Sequence, residues 1–437
     1  MTSQDQQVPT QGQPQLGGPE PGQQPNVKPD DSGSRWTQTA RDITGGTVGV
    51  SILAVVLALI VGAILIVLTE PDVQATAAYF FARPGDTFRE IWSTVSTAYS
   101  ALFQGAIYNF RRPEFATAIR PLTETLNYAT PLIAAGLGVA VAFRVGLFNI
   151  GGRGQILIAA AAAGFVGAYV PLPPVLHLIV ALLAGIAGGA IFAGIAGLLK
   201  ARTGAHEVIV TIMLNYVGFY LLSYMLRTPG LLQAPGSNNP EAADTLPTAV
   251  LPDLFGSAYN LNLGFILVIA ATVFVWYLFS RSSLGFRFRA VGENPDAARV
   301  AGINVKNTYV YAMLISGALI GLAGSQQVLG TITTGFSSSI DAGIGFDAIT
   351  VALLGRSRPL GVFLAGVLFG ALKAGGFAMQ AAAGVPIDIV LVLQSLIVLL
   401  IAAPPLVRTV FRLPTPGQKK PVKPQKSDKH RKAVVTR

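Results

Sequence analysis

Apolar stretches of about membrane-crossing length recur from Val48 to Val407, and they constrain this chain more than any other feature. A hydrocarbon core of about 30 Å needs about 20 mostly apolar residues in a helix. Only helices and closed barrels satisfy all their backbone groups there. Composition decides between the two. The chain is 51% hydrophobic and only 12% charged, with mean hydropathy +0.55, whereas soluble domains carry about 25% charged residues. Its 48 glycines, with many alanines, suit helices that approach closely in lipid. The alternating segments of about ten residues that mark a barrel are absent. The fold class read from this is an all-α polytopic membrane protein with about ten transmembrane helices, including broken or re-entrant segments.

The expected spans are Val48–Leu68, Ala129–Phe143, Ile156–Val170, Val175–Leu199, Val208–Leu226, Leu261–Phe279, Thr308–Leu329, a short Phe346–Leu354, Leu360–Met379 and Ile387–Val407. An amphipathic piece over Ile91–Phe110 is expected in or near the membrane interface. Residues 1–46, rich in Gln, Pro, Gly and Ser, read as a disordered cytoplasmic tail; residues 47–412 form the membrane domain. Residues 413–437 carry eight Lys/Arg against Asp428 and read as a second disordered tail near anionic lipid. That tail explains most of the formal charge of +10 without nucleic acid. Placing both termini in the cytoplasm puts Arg144, Arg153, Lys200, Arg202, Arg281, Arg287, Arg289, Arg299, Lys306, Arg356, Arg358, Arg408 and Arg412 on the inner side, as the positive-inside rule requires. Arg83, Arg111, Arg112 and Arg120 are the exceptions.

Three polar stretches break the apolar pattern. Leu147–Gln155 (LFNIGGRGQ) places Asn149, Gly151 and Gln155 where glycines interrupt the helix. Irregular backbone at that depth must be buried in protein or line a water-filled path. Glu207 stands at the start of a span and Asn215 inside it; Asp347 heads the short span. A carboxylate near mid-membrane costs about 2.5–3.5 kcal/mol, so each needs a cavity, a partner or an interface. These six residues are the candidate translocation pathway. The bland alternatives are an interhelical hydrogen bond for Asn215, an interfacial ion cluster of Glu207 with His206 and Arg202, and a helix-capping role for Asp347.

The fourth stretch, Arg281–Asn307, is strongly charged and holds a short helix with both ends written in. Asn294 is a good N-cap, Pro295 suits the first helical position and Gly302 can stop the helix. Ala297, Ala298 and Ala301 are expected on one face, with Asp296 and Arg299 spaced to pair. Two turns with an alanine face are too little to be stable alone, so the segment needs a partner.

Catalysis has little to stand on. Without cysteine there is no disulfide, thiolate nucleophile or Cys-ligated metal. His206–Glu207 begins a zinc-protease pattern, but position 210 is valine. Gly343, Gly345 and Ala348 have a dinucleotide-motif spacing without the strand–turn–helix unit it requires. No P-loop and no GxSxG elbow occur, so catalytic residues, metal ligands and cofactors are all expected to be none.

Taken together, LFNIGGRGQILIAA, LLKARTGAHEVIVTIMLNYVG, FRAVGENPDAARVAGINV and GFDAITVALLGRSRPLGVFLAGVLFG resemble the membrane-spanning permease subunits of bacterial ABC importers. The group is the one serving branched-chain amino acids, simple sugars and nucleosides, and the wording is most like the nucleoside branch. The resemblance covers Thr125 to Val407. Arg153 stands where that branch is often acidic, and His206 where asparagine is common. The resemblance implies a non-catalytic subunit in the plasma membrane. Its implied partners are ATP-binding subunits, a second and different permease, and an extracellular solute-binding lipoprotein. It also implies that Gly292, Glu293, Asn294, Pro295, Ala297, Ala298, Arg299, Ala301 and Gly302 couple the pathway to the ATPase. The alternatives are the same machinery for sugars or branched-chain amino acids, and an ion-coupled secondary transporter built on residues such as Asp347.

Overall fold

The computed structural model describes residues 47–256 and 258–411; the two expected tails and Arg412 lie outside them. The elements are α1 (Thr47–Thr69), α2 (Pro71–Ala77), α3 (Pro84–Ala106), α4 (Phe115–Ala118), α5 (Arg120–Arg144), α6 (Gly152–Tyr169), α7 (Pro174–Thr203), α8 (Glu207–Leu226), α9 (Gly264–Arg281), α10 (Ser283–Glu293), α11 (Pro295–Val300), α12 (Val305–Gln326), α13 (Ile344–Leu354), α14 (Pro359–Ala383), α15 (Ile387–Ala402) and α16 (Pro404–Val410). Among the described residues there is no strand, only two isolated bridges, Gln233–Ala242 and Asp253–Asn262.

All ten expected spans are helical, but they do not all cross alone. Among the described residues six helices are long and apolar enough. Two bent pairs, α1 with α2 at 74° and α15 with α16 at 93°, raise the number to eight. The second bend breaks the expected Ile387–Val407 span after Ala402, where Pro404 and Pro405 cannot continue the backbone ladder. The remaining two segments are α6, whose start carries Arg153 and Gln155, and α13, which has 11 residues and spans only about 16 Å. The two expected spans that fall short of the crossing criterion are therefore α6, by its polar start, and α13, by its length.

Close packing of small residues holds the bundle. The most extensive helix pair is α7 with α12, where Gly189 meets Gly317 and Gly321 so tightly that a Cβ on Gly189 would sit 2.7 Å from the Gly321 Cα. Helix α5 runs through the middle, touching α12, α13 and α14. It starts nine residues before the expected Ala129, because its polar first turns are covered by protein: Thr123, Thr125 and Asn127 are all buried. Helix α3 is laid against α14, and its Tyr99 hydroxyl donates to the Leu59 carbonyl within α1. The connection 227–260 is built into the fold rather than draped over it. Its Thr245 hydroxyl donates to Val328 O, and Leu232, Ala249 and Leu251 share a buried cluster with α6.

Candidate functional site

The core of the site is the place where α6 and α13 begin. Their first turns abut backbone to backbone: a Cβ on Gly152 would lie 2.7 Å from the Gly345 carbonyl oxygen, and one on Gly345 would overlap the Arg153 nitrogen. Two sets of unpaired helix N–H groups thus converge on one point inside the bundle, and each set needs acceptors. Helix α8 supplies them for α6. Asn215 Oδ1 accepts from Gly154 N at 2.8 Å while its Nδ2 donates to Ile150 O at 3.0 Å. The Thr211 hydroxyl accepts from Ile150 N at 3.3 Å. Asn215 is an N-cap delivered from another helix, so here the interhelical role holds.

Asn149 and Gln155 are more than nine-tenths buried and spend their amides on each other. Asn149 Nδ2 donates to Gln155 Oε1 at 3.2 Å, and Gln155 Nε2 donates back to Asn149 Oδ1 at 3.0 Å. Asn149 also accepts from Gly151 N and donates to Ser316 Oγ of α12, both at 3.0 Å. This closed clamp fixes the turn into α6 and ties it to α12. It leaves neither side chain open to a passing solute within this chain.

The α13 side is charged. Asp341 is buried and pairs with Arg153 at 3.3 Å, whose guanidinium lies 5.1 Å from the centre of the Phe219 ring. Ala342 and Gly343 then both adopt positive φ, 44° and 80°, to swing the chain into the helix; for Ala342 this is strained backbone of order 1–3 kcal/mol. Lys373 Nζ of α14 donates to the Ala342 carbonyl at 3.2 Å and lies near enough to Asp347 to interact with its charge. Gln394 Nε2 of α15 reaches Asp347 Oδ1 at 3.5 Å. Asp347 is half-buried in the first turn of α13, where the helix dipole favours a carboxylate. Arg153 and Asp341 thus form an ion pair at the joint, and Lys373 places a second positive charge near Asp347. Sequence reading omits Asp341 and Lys373. Their signal was a charge in a loop and a lone lysine mid-helix, which only the re-entry of the 332–343 segment brings together.

Glu207 sits apart from this joint. It pairs with Lys200 of α7 at 2.9 Å, rather than with Arg202 or His206, because α8 turns back beside the end of α7. Among the described residues no three His, Asp or Glu side chains gather to hold a metal.

The charged segment folds as two short helices. Ser282 Oγ caps α10 by accepting from Gly285 N at 2.9 Å, which adds a helix that reading only the centre of the stretch leaves out. Asn294 Oδ1 accepts from Asp296 N and Ala297 N, both at 3.0 Å, capping α11. Arg299 pairs with Asp296 at 2.9 Å, and Gly302 ends the turn at φ 81°. The expected alanine face splits. Ala298 is buried in the bundle, whereas Ala297 and Ala301 point outward and Val300 is 91% exposed. At about 100° per residue Ala297, Val300 and Ala301 share one arc of the helix and Ala298 lies off it, so the bundle buries Ala298 and leaves the other three as the outer face; Ile303 N bonds back to Ala298 O and closes the turn. Below it, Phe288 is fully buried and Gly292 rests on the backbone of Arg144 and Val145 at the end of α5. The chain then runs from Val145 to Asn149 in four residues, so the exposed helix and the α6 joint share one strut.

Comparison with known proteins agrees with this architecture. Residues 122–402 match the family described as branched-chain amino acid transport system / permease component. The chain is 37% identical to the guanosine ABC transporter permease protein NupP of Bacillus subtilis over 73% of its own length and 88% of the relative's. It is 37% identical to the glucose ABC transporter permease protein TsgB13 of Haloferax volcanii (64% and 75%). It is 36% identical to the nucleoside ABC transporter permease protein NupB of Lactococcus lactis (65% and 79%). No solved structure matches.

Proposed function

The chain belongs to the permease-component family of branched-chain amino acid transport systems, whose members are ABC transporter permeases of the plasma membrane, and from that premise we propose that it carries nucleosides inward. The pathway is assigned to a single membrane domain, 47–412, set between two cytoplasmic tails, 1–46 and 413–437. In this reading α11 docks in an ATP-binding subunit through Ala297, Val300 and Ala301. Gly292 transmits its movement to the turn at Asn149, and the α6–α13 joint opens and closes the path. Asn149, Gly151, Gln155 and Asn215 position that joint; Asp347, with Lys373, is the polar group that a solute meets. Glu207 braces α8 on α7. A second permease chain and an extracellular binding lipoprotein complete the machine.

One observation carries the mechanism: Gly292, two residues before the α11 cap Asn294, rests on the backbone at the end of α5, from which the short connection 145–151 leads into α6. The substrate class rests on the guanosine and nucleoside permeases among the relatives, with the glucose permease as the reason to keep sugars as the second reading. Uptake of labelled guanosine and labelled glucose, each with and without ATP, into vesicles holding the assembled transporter separates these readings. ATP-dependent guanosine uptake supports the first and glucose uptake alone the second. Uptake that survives ATP depletion and stops with an uncoupler removes both in favour of an ion-driven carrier.

A further inference from the structure

Three of the four arginines that break the positive-inside pattern, Arg111, Arg112 and Arg120, gather at the end of α5 away from the α10–α11 segment. A groove opens there between the last turns of α3 and α14 and the start of α5. It has two joined parts, of about 480 and 290 Å³, which share Gly105, Asn109, Pro121 and Ala378. Its inner wall is smooth and apolar, made of Ala374, Ala378 and Ala382 with Phe377. Its mouth carries Arg111, Arg112 and Arg120 against a single carboxylate, Glu124. That carboxylate is already engaged by Asn260 Nδ2 and by Arg120 at 3.8 Å, while Arg111 and Arg112 enter no ion pair among the described residues.

The neighbouring residues set the depth of the groove. Phe110 and Phe115 flank the two arginines and are 69% and 71% exposed, with the Tyr108 ring packed against both at 5.1 and 6.4 Å. Aromatic rings interleaved with long cationic side chains mark the level of lipid headgroups. The charged mouth is thus at headgroup depth, and the alanine wall extends from it along α14.

We propose that this groove is a binding site for an anionic phospholipid. Its phosphodiester lies between Arg112 and Arg120, a geometry guanidinium forks suit, and one acyl chain enters beside Ala382 and Ala378 and runs toward the membrane centre past Phe377 and Ala374. The excess of guanidinium over carboxylate selects a net-negative headgroup over a zwitterionic one. A docking protein's carboxylate would meet the same arginines but would leave the apolar wall without a role, so the lipid accounts for more of the site. The proposal does not depend on which solute is carried.

Native mass spectrometry of the full-length chain, titrated in micelles with phosphatidylglycerol or phosphatidylcholine, tests it. Phosphatidylglycerol should be retained about ten-fold more strongly, and Arg112→Gln with Arg120→Gln should abolish the difference, given what each basic residue near a membrane surface contributes. Ala382→Leu, at an exposed position that leaves every arginine in place, should weaken retention of both lipids by crowding the chain. Arg83→Gln, outside the groove, should change nothing, and unaltered helical circular dichroism should confirm that the variants fold. Equal retention of the two lipids by the unmodified protein would overturn the proposal. So would displacement of the lipid by millimolar inorganic phosphate, which would mark a free-anion site. Full retention in Ala382→Leu would overturn it too, because it would leave an arginine surface suited to a protein partner.

Discussion

Replacing Gly292 with alanine tests the strut between the exposed helix and the start of α6. A Cβ at this position would overlap the carbonyl oxygen of Arg144, and would come within 3.0 Å of its carbonyl carbon and 3.2 Å of the Val145 Cα. All three atoms are backbone, so no side-chain rotation relieves the clash. Restoring ordinary contact, roughly 3.5 Å or more between carbons, requires α10 or the end of α5 to shift by about 1 Å. Overpacking of this kind typically costs about 1–3 kcal/mol. The Arg144 end is tied down by its Nε donating to Ser357 O at 3.3 Å and by Val145 buried in the main cluster. Helix α10 is anchored by Phe288 and by Arg289, whose guanidinium donates to Phe279 O at 2.8 Å. The shift must therefore be shared, and it displaces the turn that leads to Asn149. In vesicles holding the assembled transporter, Gly292→Ala should cut solute uptake several-fold and loosen the link between solute and ATP hydrolysis, while basal hydrolysis persists. The control is Gly302→Ala. Gly302, unlike Gly292, has positive φ, but nothing lies within 4 Å of its would-be Cβ, so only local strain of order 1 kcal/mol follows. Uptake and coupling in Gly292→Ala equal to those in Gly302→Ala would refute the strut.

Four further outcomes follow from the same structure. Val300→Glu on the exposed face should leave thermal stability unchanged yet reduce solute-stimulated ATP hydrolysis, read in a paired melting and phosphate-release assay; Ala298→Glu should instead lower the melting temperature, because that side chain is buried. Asn215→Ala leaves the Gly154 N–H and the Ile150 carbonyl without their partner and should cost about 1–3 kcal/mol, seen as a lower melting temperature in detergent. Gly345→Ala drives a Cβ into the Arg153 backbone nitrogen and should destabilise the fold more than Asn215→Ala does in the same assay. Lys373→Met removes the donor to Ala342 O and the cation near Asp347; uptake should fall, and adding Asp347→Asn should restore part of it if the two charges act as a pair.

The helical class and all ten apolar segments were legible because span length and hydropathy report directly on lipid. So were the caps of α11: Asn294, Pro295 and Gly302 are local devices, and local chemistry fixes them. What the sequence hid depends on rotation and re-entry. Ala298 sits about 100° round the helix from Ala297, so the three alanines do not share one narrow face; which side of the wheel meets the bundle is what only the fold decides. The expected span starts only at Ala129, because Thr123, Thr125 and Asn127 look unfit for lipid, yet these three are covered by protein. Arg153 and Asp341 lie far apart in the chain and meet only because the 332–343 segment returns into the bundle; no periodicity carries that information. Asn149 and Gln155 were visible as polar residues at membrane depth, but their mutual hydrogen bonds, which take up their capacity, were not.

The way each helix is held points to the part that moves. Helices α7 and α12 are locked by glycine-to-glycine contact along their length, and α5 is enclosed by its neighbours, so these form the rigid frame. Helix α8, like α7, is buried along one side only, and it differs in what that side holds. Only a stripe of it is buried, running Glu207, Thr211, Asn215, Gly218, Leu222 and Leu226, while Tyr216, Tyr220 and Tyr224 stand exposed on the other side. The same stripe supplies the hydrogen bonds that hold the start of α6, so any tilt of α8 pulls directly on the α6–α13 joint. A helix attached by one hydrogen-bonded seam to the joint between two helix starts costs less to displace than a pair locked by close glycine contacts, since fewer contacts are broken. Hydrogen exchange should therefore reach the amides of the first turns of α6 and α13 and the length of α8 well before those of α7 and α12. The reverse order would place the moving element in the frame and refute the assignment of the joint as the gate.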